Sequence, residues 1–117
     1  MAMSVHHERD NIYRVVVRGT LRKGDLERSQ DQLLGEMTRT GPVRLLFVLE
    51  GFDGWESGGG WNDLSFYMKH GHRIERIAIV GPERWRTETL MFAAADLRNA
   101  PVEFFHEDAD ARTWLSS

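Results

Sequence analysis

The 117-residue sequence contains no cysteine. This absence excludes a disulfide framework, a thiolate metal site and a cysteine nucleophile, so the fold must be held together by packing. Only two lysines accompany thirteen arginines, the formal net charge is -3, and no cationic block occurs. The electrostatic footprint of nonspecific nucleic-acid binding is therefore missing, and nucleic acid is not an expected partner.

Long apolar runs are also missing. The longest, Leu45 to Leu49 and Leu90 to Ala95, are far shorter than the roughly 20 residues that span a bilayer. The first ten residues are polar and contain no apolar signal-peptide segment. These features predict a soluble cytoplasmic protein without a membrane span, and the length fits one domain over residues 1–117.

Short runs of apolar and β-branched residues predict five strands. The expected segments are Met3 to Arg9, Asn11 to Leu21, Val43 to Leu49, Ile74 to Val80 and Val102 to Phe105. A tight turn at Asp10 and Asn11 would join the first two as an antiparallel hairpin. The third run is apolar without interruption, which is typical of a central parallel strand covered on both faces.

Apolar residues at helical spacing follow each of the later strands. We expect helices from an N-cap at Asp25 to Gly41, from Trp61 to near Gly71, from Glu83 through Ala95, and from Glu107 to the end. Strands that alternate with helices imply parallel strands and right-handed crossovers. The predicted fold class is α/β, a mostly parallel sheet of about five strands with an N-terminal antiparallel hairpin and helices packed on the sheet.

Several aromatic residues belong to segments that should meet at one edge of this sheet. Ligands of open parallel sheets bind where the strands' carboxyl ends lie. Glu50 to Gly60 is expected to be a glycine-rich loop at that edge. We predict a site there for a small apolar or amphipathic ligand, or for a protein partner. Its predicted residues are Phe52, Asp53, Trp55, Trp61 and Trp85. An interaction surface without a ligand, including a homodimer interface, is the alternative.

The sequence contains no recognisable phosphate-binding or metal-binding motif. Gly51 to Gly60 is rich in glycine, but no Lys or Arg lies between Arg44 and Lys69, whereas several acids do. The Ca²⁺ loop signature is absent, and His70 and His72 fit the cationic end of a helix better than a zinc site. We therefore expect no metal and no cofactor.

Catalytic signatures are missing as well. The nucleophile-elbow pattern Gly-x-Ser-x-Gly does not occur. The protein is therefore predicted not to be an enzyme. The hypothesis that remains for catalysis uses Asp53, Glu56 or His106 as an acid or base.

Spaced aromatic residues occur in a fixed order along nearly the whole chain. The segments are Phe52-Asp53-Gly54-Trp55, Trp61 to Phe66, Lys69-His70, Ile74 to Gly81, Trp85 and Ala109 to Leu115, preceded by Gly19-Thr20-Leu21 and Asp25. In these features the sequence resembles the SpoIIAA-like family, a branch of STAS-related domains near the CRAL-TRIO lipid-binding fold. The resemblance implies a mixed sheet built from successive β-α turns, and a non-catalytic switch or binding module.

The same resemblance points to one serine. Anti-sigma-factor antagonists with STAS domains are phosphorylated in an Asp-Ser-Ser-Gly motif at the start of a helix. The nearest counterpart here is Glu56-Ser57-Gly58-Gly59, which makes Ser57 the candidate for phosphorylation. The acid is longer and the second serine is replaced by glycine. The segment is also acidic without an arginine partner, so electrostatics disfavours a phosphate there.

Overall fold

The computed structural model describes residues 2–58, 69–95 and 100–117. Within these ranges, five strands form one sheet in the order β1-β2-β3-β4-β5. The strands are β1 Met3–Arg9, β2 Ile12–Leu21, β3 Val43–Trp55, β4 Ile74–Val80 and β5 Val102–Phe105. β1 pairs with β2 antiparallel, and all the other pairs are parallel. The predicted fold class is therefore confirmed.

The described α-helices lie on both sides of this sheet. They are α1 Lys23–Thr40, α2 Arg86–Phe92 and α3 Asp108–Ser116. Short 3-10 turns, Gly71–Arg73 and Glu83–Trp85, precede β4 and α2. The predicted helix from Trp61 lies mostly outside the described residues. No helix in the described part of the chain is long and apolar enough to cross a membrane.

Successive side chains of the central strand, β3, point to opposite faces of the sheet, and a hydrophobic core covers each face. Leu45 and Leu46 are neighbours on β3 that point to opposite faces, and they are 2% and 0% exposed. On one face the core includes Leu33 and Met37 of α1. On the other face, Leu46 packs in a cluster that includes Leu115 of α3. The unbroken apolar run of β3 thus reflects burial on both sides.

The last helix is anchored to the sheet by arginines from two neighbouring strands. Arg44 of β3 donates to the carbonyl of Leu115, and Arg76 of β4 donates to the carbonyl of Trp114 at 2.7 Å. The Arg76 guanidinium also lies over the Trp114 ring, 5.2 Å from its centroid. Cationic groups at the C-terminus of a helix satisfy its free carbonyls and complement its dipole.

The sequence-based prediction ended β3 too early. The strand continues from Glu50 to Trp55, where a loop was expected, and it remains paired with the last part of β2. Irregular register near Gly19 lets the two strands stay together, and Gly51 and Gly54 have φ of 59° and 109°. Glycine adopts these positive values without steric cost. The pairing with β2 skips Gly51 and Asp53, so these two residues form the bulges, and Gly54 is paired with Thr20.

The predicted helix cap at Asp25 was also wrong. The structure starts α1 at Lys23, with Arg22 as the N-cap residue and no side-chain cap from it. The backbone N–H of Lys23 instead donates to a carboxylate oxygen of Glu56 at 3.3 Å. Asp25 lies in the first turn, is 7% exposed, and pairs with Arg28. A carboxylate from the end of β3 therefore supplies the negative charge that a helix N-terminus favours.

Candidate ligand site at the aromatic edge

Four aromatic rings converge where β3 and β4 end, and we call this cluster the aromatic edge. Its members are Phe52, Trp55, Trp85 and Phe92. The Phe52 ring centroid lies 5.1 Å from that of Trp55 and 4.9 Å from that of Trp85. Trp55 lies 6.0 Å from Trp85 and 5.5 Å from Phe92. The first three contacts are edge to face, an arrangement that aromatic pairs prefer over a direct sandwich.

Parallel strand direction brings these rings together. β3 and β4 pair in the same direction, so the segments that follow their central residues emerge at one edge. Phe52 and Trp55 lie on the extension of β3, and Trp85 ends the 3-10 turn after β4. A Cβ built at Gly54 would lie 3.5 Å from the Trp85 ring, an ordinary van der Waals distance, so space does not require a glycine here. Its φ of 109° does, because this backbone conformation would strain any larger residue.

A cavity of about 120 Å³ adjoins this cluster. It lies between α1, the sheet and the α2 region. Its apolar lining includes Leu26, Leu33, Phe47, Phe52, Trp55 and Phe92. A few polar residues, Lys23, Ser29, Gln30 and Thr89, also contribute to the lining. Mostly apolar walls with a small number of polar groups are typical of small-molecule sites.

Two polar atoms in the aromatic edge lack a hydrogen-bond partner within the described part of the chain. The indole Nε1 atoms of Trp55 and Trp85 are buried, and neither has a hydrogen-bond partner among the residues that the structure describes. The hydroxyl of Thr89 donates to the backbone carbonyl of Trp85 at 2.7 Å, so it orders this residue through its main chain. Buried N–H groups are normally paired, so the two indoles stand out.

The structure brings together three of the five predicted site residues. Phe52 is buried, and Trp55 and Trp85 are half-buried beside it. Asp53 is exposed, and Trp61 lies outside the described residues. Sequence reasoning missed Phe92 as a site residue. The signal was present, because Trp85, Thr89 and Phe92 fall on one stripe of the predicted helix.

The helix that carries Phe92 is shorter than predicted. The α-helix ends at Phe92 rather than at Ala95, and it begins as a 3-10 turn over Glu83–Trp85. Ala94 closes it with a φ of 56°, a left-handed conformation that cannot continue an α-helix. This early end turns Ala93 and Ala94 toward the cavity, which both residues line.

A histidine of the catalytic hypothesis, His106, meets a carboxylate at the same edge. His106 Nε2 lies 2.7 Å from Glu83 Oε1, and Arg86 Nε donates to Glu83 Oε2 at 2.7 Å. The hydrogen bonds from Arg86 and then His106 lower the pKa of Glu83 to about 2. Both members of the pair are more than half exposed, and so acidic a carboxyl is a weak base. This arrangement therefore resembles a surface ion-pair cluster rather than a catalytic dyad.

The other two acids named in the catalytic hypothesis are also poorly placed to act as a catalytic acid or base. Glu56 is engaged at the N-terminus of α1, and Asp53 is exposed. Within the described ranges, no three His, Asp or Glu side chains come close enough together to hold a metal ion.

A polar cleft lies beside the segment that carries Ser57. Ser57 is exposed in the turn that follows β3. Its neighbour Glu56 lines a polar cleft together with Arg18, Arg22 and Arg28. Arginines that are distant in the sequence therefore lie near Glu56, and the expectation that Ser57 itself lacks an arginine partner stays a prediction.

Comparison with known proteins agrees with the observed fold. The family model described as SpoIIAA-like matches residues 12–116. Among solved structures, an uncharacterised protein of the DUF3478 family with a SpoIIAA-like fold, from Shewanella loihica PV-4, superposes with a TM-score of 0.75 at 23% identity. The match covers 97% of this chain and 92% of that one.

The unphosphorylated anti-sigma factor antagonist SpoIIAA superposes with a TM-score of 0.68 at 11% identity, over 99% of both chains. No curated protein matches the sequence significantly.

Proposed function

Because the chain belongs to the SpoIIAA-like family, we propose that it is a non-enzymatic binding module that takes a small apolar or amphipathic ligand at the aromatic edge. The observation that carries this proposal is the apolar cavity beside Trp55 and Phe52. Its walls have the composition expected of a small-molecule site. The aromatic rings supply large contact areas, and the bulged end of β3 holds two of them in place.

The size of the cavity limits what it can hold. A volume of about 120 Å³ is close to that of engineered apolar cavities, about 150 Å³, which stay dry and bind benzene. The ligand is therefore a molecule of about that size, or the apolar end of a longer one.

A protein partner is the second candidate, including a second copy of this chain. Met91 on α2 is 74% exposed and adjoins Phe92 in the sequence, so an apolar side chain faces solvent near the aromatic edge. The STAS fold is often a protein-interaction module, and one solved relative is named an anti-sigma factor antagonist. In this case the aromatic edge would serve as a contact surface rather than as a pocket.

Thermal unfolding in the presence of toluene tests the ligand proposal. A molecule that binds only the folded state raises the melting temperature with its concentration. We expect this rise for the native sequence and for Trp114→Phe, whose side chain packs on the opposite face of the sheet. Ala93→Leu should abolish it, because the larger side chain fills the cavity while leaving every tryptophan in place. A melting temperature that toluene raises in none of the three proteins, or equally in all three, would contradict the proposal.

A further inference from the structure

Ser29 is a polar residue on the buried face of α1, and it lines the cavity. It is 5% exposed and shares this face of the helix with Leu33 and Met37, which belong to the core on the same side of the sheet. A serine side chain consists of Cβ and Oγ alone, so the hydroxyl lies wherever the Cβ points. The helix therefore places a hydroxyl in an otherwise apolar wall.

The Ser29 hydroxyl has no hydrogen-bond partner in the described part of the chain. Hydroxyl groups inside helices usually face water or donate to the carbonyl four residues earlier. Thr40, Thr89 and Thr113 make that bond, at 2.8, 2.7 and 3.0 Å. Ser29 does neither, although buried polar groups are normally paired. A molecule that enters the cavity can supply the missing partner.

The Ser29 oxygen is also open to such a molecule. Among the described residues, the polar side-chain atoms that are sealed from water without a partner are Nε of Arg14 and Nε1 of Trp55 and Trp85. Ser29 Oγ is not one of them, so it keeps accessible surface. Because Ser29 is buried as a whole and lines the cavity, this surface opens into the cavity.

The uncharged polar groups around the cavity can both donate and accept hydrogen bonds. Thr89 is 5% exposed and lines the cavity, and its hydroxyl hydrogen is already donated to the Trp85 carbonyl. Its oxygen can therefore only accept a further bond. Ser29 can do both, and the carboxamide of Gln30, which also lines the cavity, adds one acceptor and two donors.

Building on the proposed function, we infer that the ligand carries a hydroxyl group on its apolar body and that Ser29 binds this hydroxyl. A hydroxyl both donates and accepts, so it matches either capacity of Ser29. The hydrogen bond gives Ser29 the partner that the described part of the chain does not provide. With a cavity of about 120 Å³, the ligand class is a small alcohol or phenol.

Phenol and toluene separate this inference from the proposed function, because they have nearly the same shape and differ by a hydroxyl in place of a methyl group. A buried hydroxyl without a partner is unfavourable, so an entirely apolar site prefers toluene. Each probe is titrated into the native protein, Ser29→Ala and Ser116→Ala, and backbone ¹H–¹⁵N NMR shifts give the dissociation constants. Alanine is the best helix former, so Ser29→Ala should preserve α1. Ser116, an exposed serine of α3, provides the matched control.

We expect the native protein to bind both probes. Ser29→Ala should weaken phenol binding about tenfold relative to toluene, the effect of losing one hydrogen bond, and Ser116→Ala should leave the ratio of the two dissociation constants unchanged. If Ser29→Ala also leaves this ratio unchanged, the inference is wrong while the cavity proposal stands. Native protein that binds phenol more than tenfold more weakly than toluene would overturn the inference even without the variant. If neither probe binds, both proposals are wrong.

Discussion

The indole rings of Trp55 and Trp85 meet edge to face, with centroids 6.0 Å apart and planes inclined at 80°. One ring comes from the extension of β3 and the other from the turn before α2, so this contact connects two consecutive β-α units. It also makes Trp55 a packing residue as well as a predicted site residue. The Trp55 ring contacts those of Phe52, Trp85 and Phe92.

The pair should therefore show energetic coupling. Aromatic pairs contribute about 0.5–1.5 kcal/mol beyond the area they bury, so a double-mutant cycle of Trp55→Ala and Trp85→Ala should give a coupling free energy in that range. Urea unfolding of the four proteins measures it. The control cycle pairs Trp55→Ala with Trp114→Ala across the sheet, where the effects should add. Additivity in both cycles would show that the two indoles are not in contact.

Gly81, directly after β4, has no room for a side chain. A Cβ at this position would lie 2.7 Å from Cδ1 of Leu49 and 3.1 Å from its Cβ and Cγ. Gly81→Ala should lower the free energy of unfolding by about 1–3 kcal/mol, because the clash includes atoms close to the backbone. Gly35→Ala is the matched control, since it is exposed on α1 with nothing within 4 Å.

The control substitution, Gly35→Ala, should change the free energy of unfolding in the opposite direction. Alanine is favoured over glycine inside a helix by roughly 0.5–1 kcal/mol, so Gly35→Ala should stabilise the protein. Chemical denaturation at one temperature compares the two variants. Equal effects of both substitutions would mean that Leu49 does not pack against the turn after β4.

A bidentate ion pair joins the first strand to the last helix. Arg112 donates to both carboxylate oxygens of Glu8, with Nε to Oε2 at 3.0 Å and Nη2 to Oε1 at 2.9 Å. Hydrogen bonding from Arg112 lowers the pKa of Glu8 below its usual 4.5. The stabilisation is therefore complete above pH 4.5 and disappears as the pH falls through the folded-state pKa.

Glu8→Gln should remove this pH dependence and cost about 1 kcal/mol at neutral pH, since the pair is partly solvated. Arg112→Lys keeps the positive charge but loses the geometry that allows two hydrogen bonds. Its free energy of unfolding should therefore lie between those of the native protein and Glu8→Gln. Unfolding free energies measured at pH 7 and pH 3 test both statements. A native protein and Glu8→Gln variant that lose equal stability on acidification would contradict this account.

The hydrogen bonds from Arg86 and His106 to Glu83 predict how its carboxyl titrates. Its carboxyl should titrate near pH 2, because Arg86 and His106 both hydrogen-bond to the ionised form. Arg86→Leu should raise this pKa toward 4.5, its usual value, whereas Arg84→Leu should change it little. ¹³C NMR of the side-chain carboxyl carbon between pH 6 and pH 1 shows whether the carboxyl stays ionised down to about pH 2. A midpoint near 4.5 in the native protein would show that the cluster does not form.

Strand direction could be read from the sequence because it depends on local patterns. Unbroken apolar runs around Phe47 and Ile77, separated by helical spacing, predicted parallel strands, and the structure pairs Phe47 directly with Ile79 of the next strand. The same reasoning predicted that Trp55 and Trp85 would meet, although it placed Trp55 on a loop. Strand direction alone was enough to predict the edge of the sheet at which these two residues meet.

The errors came from interactions between residues that are distant in the sequence. Gly51 and Gly54 have the composition of a loop, yet pairing with β2 holds them in a bulged strand. Asp25 has the chemistry of an N-cap, but Glu56 arrives from the end of β3 and binds the helix start. Neither outcome has a local signature, since bulges and long-range caps are decided by tertiary packing.

Native mass spectrometry of freshly purified protein tests the central claim most directly, because it reports bound molecules and subunit number together. We predict a monomer whose mass exceeds that of the 117-residue chain by one small molecule, and the loss of that increment in Ala93→Leu. A bare chain mass, or a dimer without added mass, would contradict a ligand site at the aromatic edge.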